Sequence, residues 1–597
     1  MTMKRNALIL LFVLTVTFAV FSEAVSFDFT NWDDPTHVTD NFRVRSLAWN
    51  NITRIFRSTL QRTYIPLTTL SFALEYRFFG YRPFFYHLDN ILLHLMVTGL
   101  VFLFVLKCGF SSRAAAVAAL IFGVHPMHVE SVAWITERKD VLYAVFYMAA
   151  VIFYLDYLRK RTPPPYLGAL ACGLLSMLAK PMAVSLPLIL LLCDWFTRRP
   201  INRDAWRDKI PFFVYIIPIA WITYHLQMRL PGREPGEAAL IWLWTFSFYP
   251  TKFFLPLKLL PIYPLPQPVS LMNPVYAGSI GFTMFVIWFF RKFKNHRTMI
   301  FAGLFYLASI FFLLRFDELL DAHVVADRFM YLPSVGICLL LGSLTDQGLS
   351  RLAYRARAFG YAGLIVLLSV MSLKTILQVR VWKNSATLWR YVIKYNPGEA
   401  TAHHNLGMVY AKAHQYDTAI RHYNEAVRLD PDYAQAYNNL GNAYYANGDN
   451  IRAFWYFSEA LRLFPRYAQA YNNRGNLFAQ KNHYRQALEN YTAAITFAVG
   501  DPLPYYNRGN LLTALRNYQQ AIWDFTKAIE INPQYSLAYN NRGIIYYRLG
   551  MMEKAGEDFE MAFKLDPSNA TAYFNRNLVA QKKSGPHGKD NKGKTKD

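Results

Sequence analysis

Asp33 and Asp34 stand side by side in NWDDPTHVTDN, residues 31–41, soon after the first apolar stretch of the chain. Neighbouring side chains leave a regular backbone in different directions, so two adjacent carboxylates that both work do different jobs. One can take a proton while the other orients a group or a cation. A plainer reading is local: Asp34 before Pro35 makes a helix cap with proline at the first helical position, and Asp33 is simply solvated. Other polar residues stand where apolar sequence surrounds them: His87, Asn90 and His94 in YHLDNILLH, His125, His128 and Glu130 in HPMHVE, and Lys180 alone between two apolar runs. A lone cation at a lipid-embedded helix end is costly unless it snorkels or meets an anion. The His and Glu types suit zinc or manganese, but HxxH without a third ligand is a weak metal pattern, so no metal is assigned and no cofactor is firmly implied. His87 and His94, with Asn90, serve equally as hydrogen-bonding partners between helices.

The elements that must position these groups are membrane helices. Phe 46, Tyr 40 and Trp 13 in 597 residues are high for a soluble protein. Uncharged runs of about 20 residues, enough to cross a hydrocarbon core of about 30 Å, recur up to residue 380. Eleven crossings are expected, near 6–25, 88–106, 114–135, 140–158, 165–179, 181–196, 210–226, 274–290, 299–314, 330–345 and 360–378. The basic amino-terminal start is read as a retained first helix in preference to a cleaved signal. The formal charge of +24 sits mostly in short loops such as 159–161, 197–209, 291–297 and 351–357, which marks a cytoplasmic side and not a nucleic-acid partner. Those loops share one side only if the segment 239–256, broken by Pro250 and Pro256, is re-entrant or interfacial. The amino terminus is then inside, and both the 26–87 loop and everything after residue 380 are outside. Cys108, Cys172, Cys193 and Cys338 all lie in apolar segments, so no disulfide framework or CxxC site is available.

After residue 380 the chain becomes periodic. Gly407, Gly441, Gly475, Gly509 and Gly543 are 34 residues apart, as are Ala419 to Ala555 and Ala426 to Ala562; Pro431, Pro465, Pro533 and Pro567 close repeats, with Val499 at the missing proline. This is the tetratricopeptide pattern: small residues where paired helices touch and proline where a unit ends. The expected organisation is all-α: a multispanning domain at 1–380, a linker helix at 381–399, five repeats at 400–569, then a capping helix and a Lys-rich disordered tail at 570–597. Asn405, Asn439, Asn473, Asn507, Asn541 and Asn575 recur in the same register. Asn both donates and accepts, so a ladder of them can hold the backbone of an extended acceptor peptide without reading its side chains. The other reading is that each Asn ties neighbouring repeats together. The array resembles the asparagine-lined groove of soluble O-GlcNAc transferase repeats, which favours peptide holding; Asn442, Asn476 and Asn510 approach the same face.

WDD at 32–34, YIPLTTLSFALEYRFFG at 64–80, YHLDNILLH at 86–94, HPMHVESVAWITERKDVL at 125–142, LAKPMAVSLPLILLLCDW at 178–195 and ADRFMYLPSVG at 326–336, with the repeats behind them, closely resemble the transmembrane O-mannosyltransferases that carry tetratricopeptide repeats. Five repeats and compact hydrophilic loops look like a prokaryotic relative. The resemblance implies a GT-C architecture and transfer of mannose or another hexose from a polyprenyl- or dolichyl-phosphate donor to Ser or Thr hydroxyls outside the cytosol. A hydroxyl must then give its proton to a carboxylate, which suits Asp33 or Asp34. The leaving lipid phosphate needs positive charge, for which Lys180, Arg138 and Arg328 are the candidates, with Lys139 beside them. His125, Glu130 and His87 are expected to line the site. Two other classes account for parts of the pattern. A transporter explains intramembrane polar residues, and a non-catalytic scaffold explains the repeats. They are separated from transfer by whether the acidic pair faces Lys180, Arg138 or Arg328. A nucleotide-sugar donor is disfavoured, because no soluble cytoplasmic catalytic domain is visible.

Overall fold

The computed structural model describes residues 2–61, 63–226, 234–311 and 324–583; all but the first two residues of the Lys-rich tail, and the last three of the crossing expected at 299–314, lie outside them. It divides into two compact units, Met1–Pro397 and Gly398–Asp597. Among the described residues every extended element is a helix.

In the first unit, five stretches are long and apolar enough to cross a bilayer: Met3–Ser26, Pro83–Lys107, Ile135–Lys160, Pro274–Lys292 and Tyr354–Trp382. Shorter apolar helices fill most of the other expected crossings: Pro163–Ala179, Ile210–His225 and Arg297–Ile310, with the chain at Pro181–Phe196. The expected crossing at 114–135 is instead a bent pair, Ser112–Gly123 and Pro126–Ala133, with 51° between them. Pro126 explains the break, since it has no N–H to continue the ladder and drives His125 to an extended φ of −73° and ψ of 128°. Pro181 acts the same way on Lys180, whose φ of −154° and ψ of 129° end one helix before Leu186–Phe196 begins. Two prolines therefore open two stretches of non-helical backbone inside a helical bundle. The segment expected to be re-entrant or interfacial is one continuous helix, Pro235–Phe254, with Pro250 in its last turns. Close helix contacts use glycine: a Cβ on Gly342 would lie 2.4 Å from the Ala114 carbonyl oxygen.

The second unit is built from five helix pairs, beginning with Ala400–Lys412 and Tyr416–Leu429 and ending with Ser536–Arg548 and Met552–Leu565, followed by Ala570–Lys583. The periodic glycine of each pair lies under the aromatic ring sixteen residues on. A Cβ at Gly441 would sit 2.5 Å from Phe457, which is why only glycine lets the two helices close. The periodic alanines Ala419, Ala453, Ala487, Ala521 and Ala555 are fully buried between helices.

Candidate functional site

The two neighbouring acids have different surroundings. Asp34 is buried, and its carboxylate accepts from Thr30 N at 2.7 Å, Thr30 Oγ1 at 3.0 Å, Thr136 N at 3.1 Å and the Thr136 hydroxyl. Burial pushes this carboxyl upward, while the donors from Thr136 and Thr30 pull the other way. It caps nothing in its own helix, the short turn Pro35–Thr39, although Pro35 does open that turn. The cap expected from Asp-Pro is thus replaced by a tie between distant segments.

Asp33 points elsewhere and is half-exposed. Its Oδ1 accepts from Gln61 Nε2 at 3.2 Å, and Gln61 Oε1 lies 3.1 Å from His37 Nε2. Because the amide oxygen only accepts, His37 carries its proton on Nε2. Burial, followed by the charge of Lys139, holds this imidazole down to about 4, against the opposing charges of Asp33 and Glu137. His37 is therefore neutral near pH 7. Asp33, Lys139 and Glu137 thus each act electrostatically on His37.

Glu137 is the centre of a cation cluster. It is buried at 1% exposure, with Lys139 Nζ 3.0 Å and Arg328 Nε 3.5 Å from Oε1, and Lys180 Nζ 4.0 Å from Oε2. Lys180 pairs with Asp140, which also accepts from Ser131 Oγ at 3.1 Å. Arg328 pairs with Glu130, whose other oxygen accepts the Arg328 amide at 3.0 Å. Lys180 thus meets anions, which removes the cost of a bare cation in an apolar setting. The backbone openings at Pro126 and Pro181 bring these groups together, since continuous helices would carry Glu130 and Lys180 along their own axes.

Aromatic rings wall this region. Trp32 stacks on Trp134 at 4.5 Å and meets Trp389 at 5.1 Å, Trp134 stacks on Trp382 at 5.2 Å, and the Arg328 guanidinium lies 5.7 Å from the Trp134 ring. Trp389 Nε1 donates to Asn31 Oδ1 at 2.7 Å. The loop carrying the acids is thereby fixed on both flanks.

Of the residues expected from sequence, Lys180, Arg328 and Glu130 join this cluster and Arg138 does not. The Arg138 guanidinium is fully buried, paired with Glu75 and with Asp89 at 3.3 Å, and donates to Asn90 Oδ1 and Tyr86 O, each at 2.8 Å. Lys139, one residue on, turns to Glu137 instead. His125 also lies apart: its Nε2 is 3.0 Å from Phe253 O, and its Nδ1 accepts from Met127 N at 3.2 Å. His128 and His94 are likewise engaged, with Phe122 O at 2.8 Å and Tyr331 Oη at 2.7 Å. His87 is buried edge-on against the Phe27 ring. Among the described residues no group of three His, Cys, Asp or Glu is disposed to hold a metal ion. His37, Gln61, Glu137 and Asp140 were not singled out from sequence. Three of them lie within the stretches quoted for the acidic pair and for the cations, but no spacing rule marks them.

In the repeats, Asn439, Asn473, Asn507 and Asn575 each donate Nδ2 to the residue 35 positions back. The acceptors are His404 Nε2 at 2.8 Å, Asn438 Oδ1 at 3.0 Å, Asn472 Oδ1 at 2.9 Å and Asn540 Oδ1 at 3.0 Å. Asn541 donates to Tyr506 Oη at 3.1 Å and Asn510 Oδ1 at 2.8 Å. These rungs join neighbouring repeats through the amide nitrogens. Asn405 is buried in the first repeat. A second row was not anticipated: Arg474, Arg508 and Arg542, also 34 apart, pair with Asn490, Asp524 and Asp558 of their own repeats.

Family models for tetratricopeptide repeats match residues 410–448, 434–467, 468–498, 502–535 and 536–569. The chain is 27% identical to Protein O-mannosyl-transferase TMTC1 of Homo sapiens over 66% of its own length and 52% of that protein. It is 25% identical to TMTC2 of Homo sapiens over 68% of this chain and 61% of that one, and 25% identical to Tmtc1 of Drosophila melanogaster over 59% and 53%. The chain therefore spans only about half to three-fifths of the length of these relatives. Among solved structures it is similar to YrrB, described as a tetratricopeptide protein with an unusual peptide-binding site, at 23% identity and a TM-score of 0.26 over 32% of this chain and 100% of that one. MamA is similar at 24% identity and a TM-score of 0.25 over 28% and 96%. The chain carries tetratricopeptide repeats, and it is similar to proteins named Protein O-mannosyl-transferase.

Proposed function

We propose that the chain is an integral-membrane protein O-glycosyltransferase that moves mannose or another hexose from a polyprenyl-phosphate donor to Ser or Thr hydroxyls on the extracytoplasmic side. The observation that carries this reading is that half-exposed Asp33, held by Gln61, and Lys139, gathered with Arg328 and Lys180 round Glu137, both act on His37. Asp33 is the base. As the acceptor oxygen bonds to the anomeric carbon, its proton passes to the Asp33 carboxylate and the bond to the phosphate oxygen breaks, leaving its electron pair on the phosphate. The cations stabilise the charge that develops there. Gln61 and neutral His37 orient Asp33; an amide does not relay a proton, so the proton leaves Asp33 to water. Asp34 positions the loop and takes no proton.

The repeats hold the acceptor polypeptide, with the asparagine carbonyls of the ladder as backbone contacts. Arg138 supports the fold beside the site and does not contact the phosphate.

The test is glycopeptide mass spectrometry of exported proteins from host cells carrying the chain, lacking it, or carrying Asp33→Asn. Loss of one hexose class on Ser or Thr in both the deletion and the variant supports transfer. Unchanged glycopeptides in the deletion would leave a scaffold or a transporter as the better account.

A further inference from the structure

From Asn41 to Leu74 the chain has five arginines, Arg43, Arg45, Arg54, Arg57 and Arg62, with no lysine and no acid. This is the one strongly basic stretch in a loop that the expected topology puts outside, where positive charge is not the usual orientation signal. Among the described residues the four arginines Arg43, Arg45, Arg54 and Arg57 are at most partly buried, Arg57 is exposed, and none is paired with a carboxylate. Arg43 donates Nη1 to Thr59 O at 3.3 Å, and Arg45 donates to Tyr81 Oη at 2.8 Å and Thr39 O at 3.1 Å, none of them a carboxylate. Burial, followed by the charge of nearby Arg54, lowers the proton affinity of Arg43. Among the described residues no ion pair is formed by Arg54 or Arg57.

The segment is folded firmly enough to present those charges. The helix Trp49–Arg57 buries Ile55 and packs Phe56 on a small cluster containing Val38, Val44, Phe72 and Tyr86. Its register puts Asn50, Arg54 and Arg57 together on the opposite face. Trp49 stands at the border of that face and is 74% exposed. The chain then enters Pro66–Phe79 and the span Pro83–Lys107, whose outward Phe78 and Phe84 are 73% and 46% exposed. A short amphipathic helix with arginines on one face and a tryptophan at its edge, directly before outward-facing apolar helices, has the composition of an interfacial element.

We propose that the helix Trp49–Arg57 docks on the bilayer surface and binds the phosphate of an anionic phospholipid through Arg54 and Arg57, with Trp49 at headgroup depth. An acidic polypeptide would meet the same charges but gives no reason for a protruding indole beside the spans. The lipid phosphate meets both features. Since the chain leads from this helix to Gln61 within four residues, the contact fixes the near end of the segment whose Gln61 holds Asp33.

The test uses the purified full chain in detergent, titrated with phosphatidylglycerol or phosphatidylcholine, with bound lipid counted by native mass spectrometry. Phosphatidylglycerol is expected to bind in preference. The double variant Arg54→Gln with Arg57→Gln should bind it about twenty-five-fold more weakly at one site, at about fivefold for each basic group near a lipid surface. The variant Arg54→Lys with Arg57→Lys should keep the site, and Trp49→Ala should weaken it. A double glutamine variant that binds phosphatidylglycerol as the parent does overturns the proposal. So does arginine-dependent capture of a polyglutamate peptide with unchanged lipid binding, which would reassign the face to an acidic polypeptide.

Discussion

Thr136 holds Asp34: its amide donates to Asp34 Oδ1 at 3.1 Å and its hydroxyl donates to the same oxygen, so the loop behind the first helix is tied to the turn that precedes Arg138. Because that tie absorbs Asp34, the proposed acid–base task is left to Asp33, and the neighbours differ in surroundings, one tied to a distant segment and one half-exposed.

Asp34→Ala leaves buried donors on Thr30 and Thr136 without a partner, at about 1–3 kcal/mol for each. Its thermal midpoint in detergent should fall clearly below that of the parent. Asp33→Asn should melt with the parent and lose transfer by about 10²–10⁴, the usual range for a general base. Thermal melts alongside a transfer assay check both, and the opposite pattern would exchange the two roles.

Lys180→Met strands Asp140 beside Glu137 and should destabilise by about 3–5 kcal/mol, the cost of breaking a buried ion pair from one side. Adding Asp140→Asn removes the stranded charge and should recover most of the loss. The double variant is read against each single one by thermal melting. Losses that simply add would show that the two side chains do not interact.

His404 makes the first rung of the ladder pH-sensitive. Its Nε2 accepts from Asn439 Nδ2 at 2.8 Å and its Nδ1 is 3.2 Å from Tyr433 Oη, an arrangement that needs neutral imidazole. Burial lowers its pKa from 6.5 to about 4. The unfolded chain therefore binds the extra proton first, and the rung's contribution, complete above pH 6.5, is lost as pH falls towards 4. The loss is on the order of 3 kcal/mol. Denaturant melts of the repeats between pH 7 and pH 4 should show this slope, and His404→Asn, matching Asn438 and Asn472, should flatten it.

Arg508 and Asp524 form a half-exposed to buried pair at 2.8 Å, where the second repeat has Leu440 and Tyr456. Arg508→Leu alone should destabilise the array by about 2–3 kcal/mol, because a buried carboxylate loses its cation. Combined with Asp524→Tyr it should return close to the parent. If the double variant is worse than the single, position-wise exchange between repeats fails.

The repeats are legible in sequence because their helix contacts are local. A glycine under a ring sixteen residues away leaves a spacing that any reader can count. The acidic pair is legible as a pair, but not as two roles, because the direction of Asp34 depends on Thr136, 102 residues away. The same limit separates Arg138 from Lys139. Both stand at one helix start, and a single step around the helix sends one guanidinium to Glu75 and one ammonium to Glu137. Glu137 itself escapes notice because a carboxylate among basic residues looks like a solvated charge, until the breaks at Pro126 and Pro181 fold three cations onto it. The run at 114–135 reads as one crossing because hydropathy sums over Pro126 without registering the missing N–H.

The rung between repeats accepts a hydrogen bond through histidine, asparagine or tyrosine at the same position, as His404, Asn438 and Tyr506 show. Each 34-residue block consequently exposes nearly the same upper and lower edges, and copying or deleting a whole block in the gene leaves matched edges on either side. The array can therefore change length by duplication within the coding sequence, while the joints between blocks need no new solution.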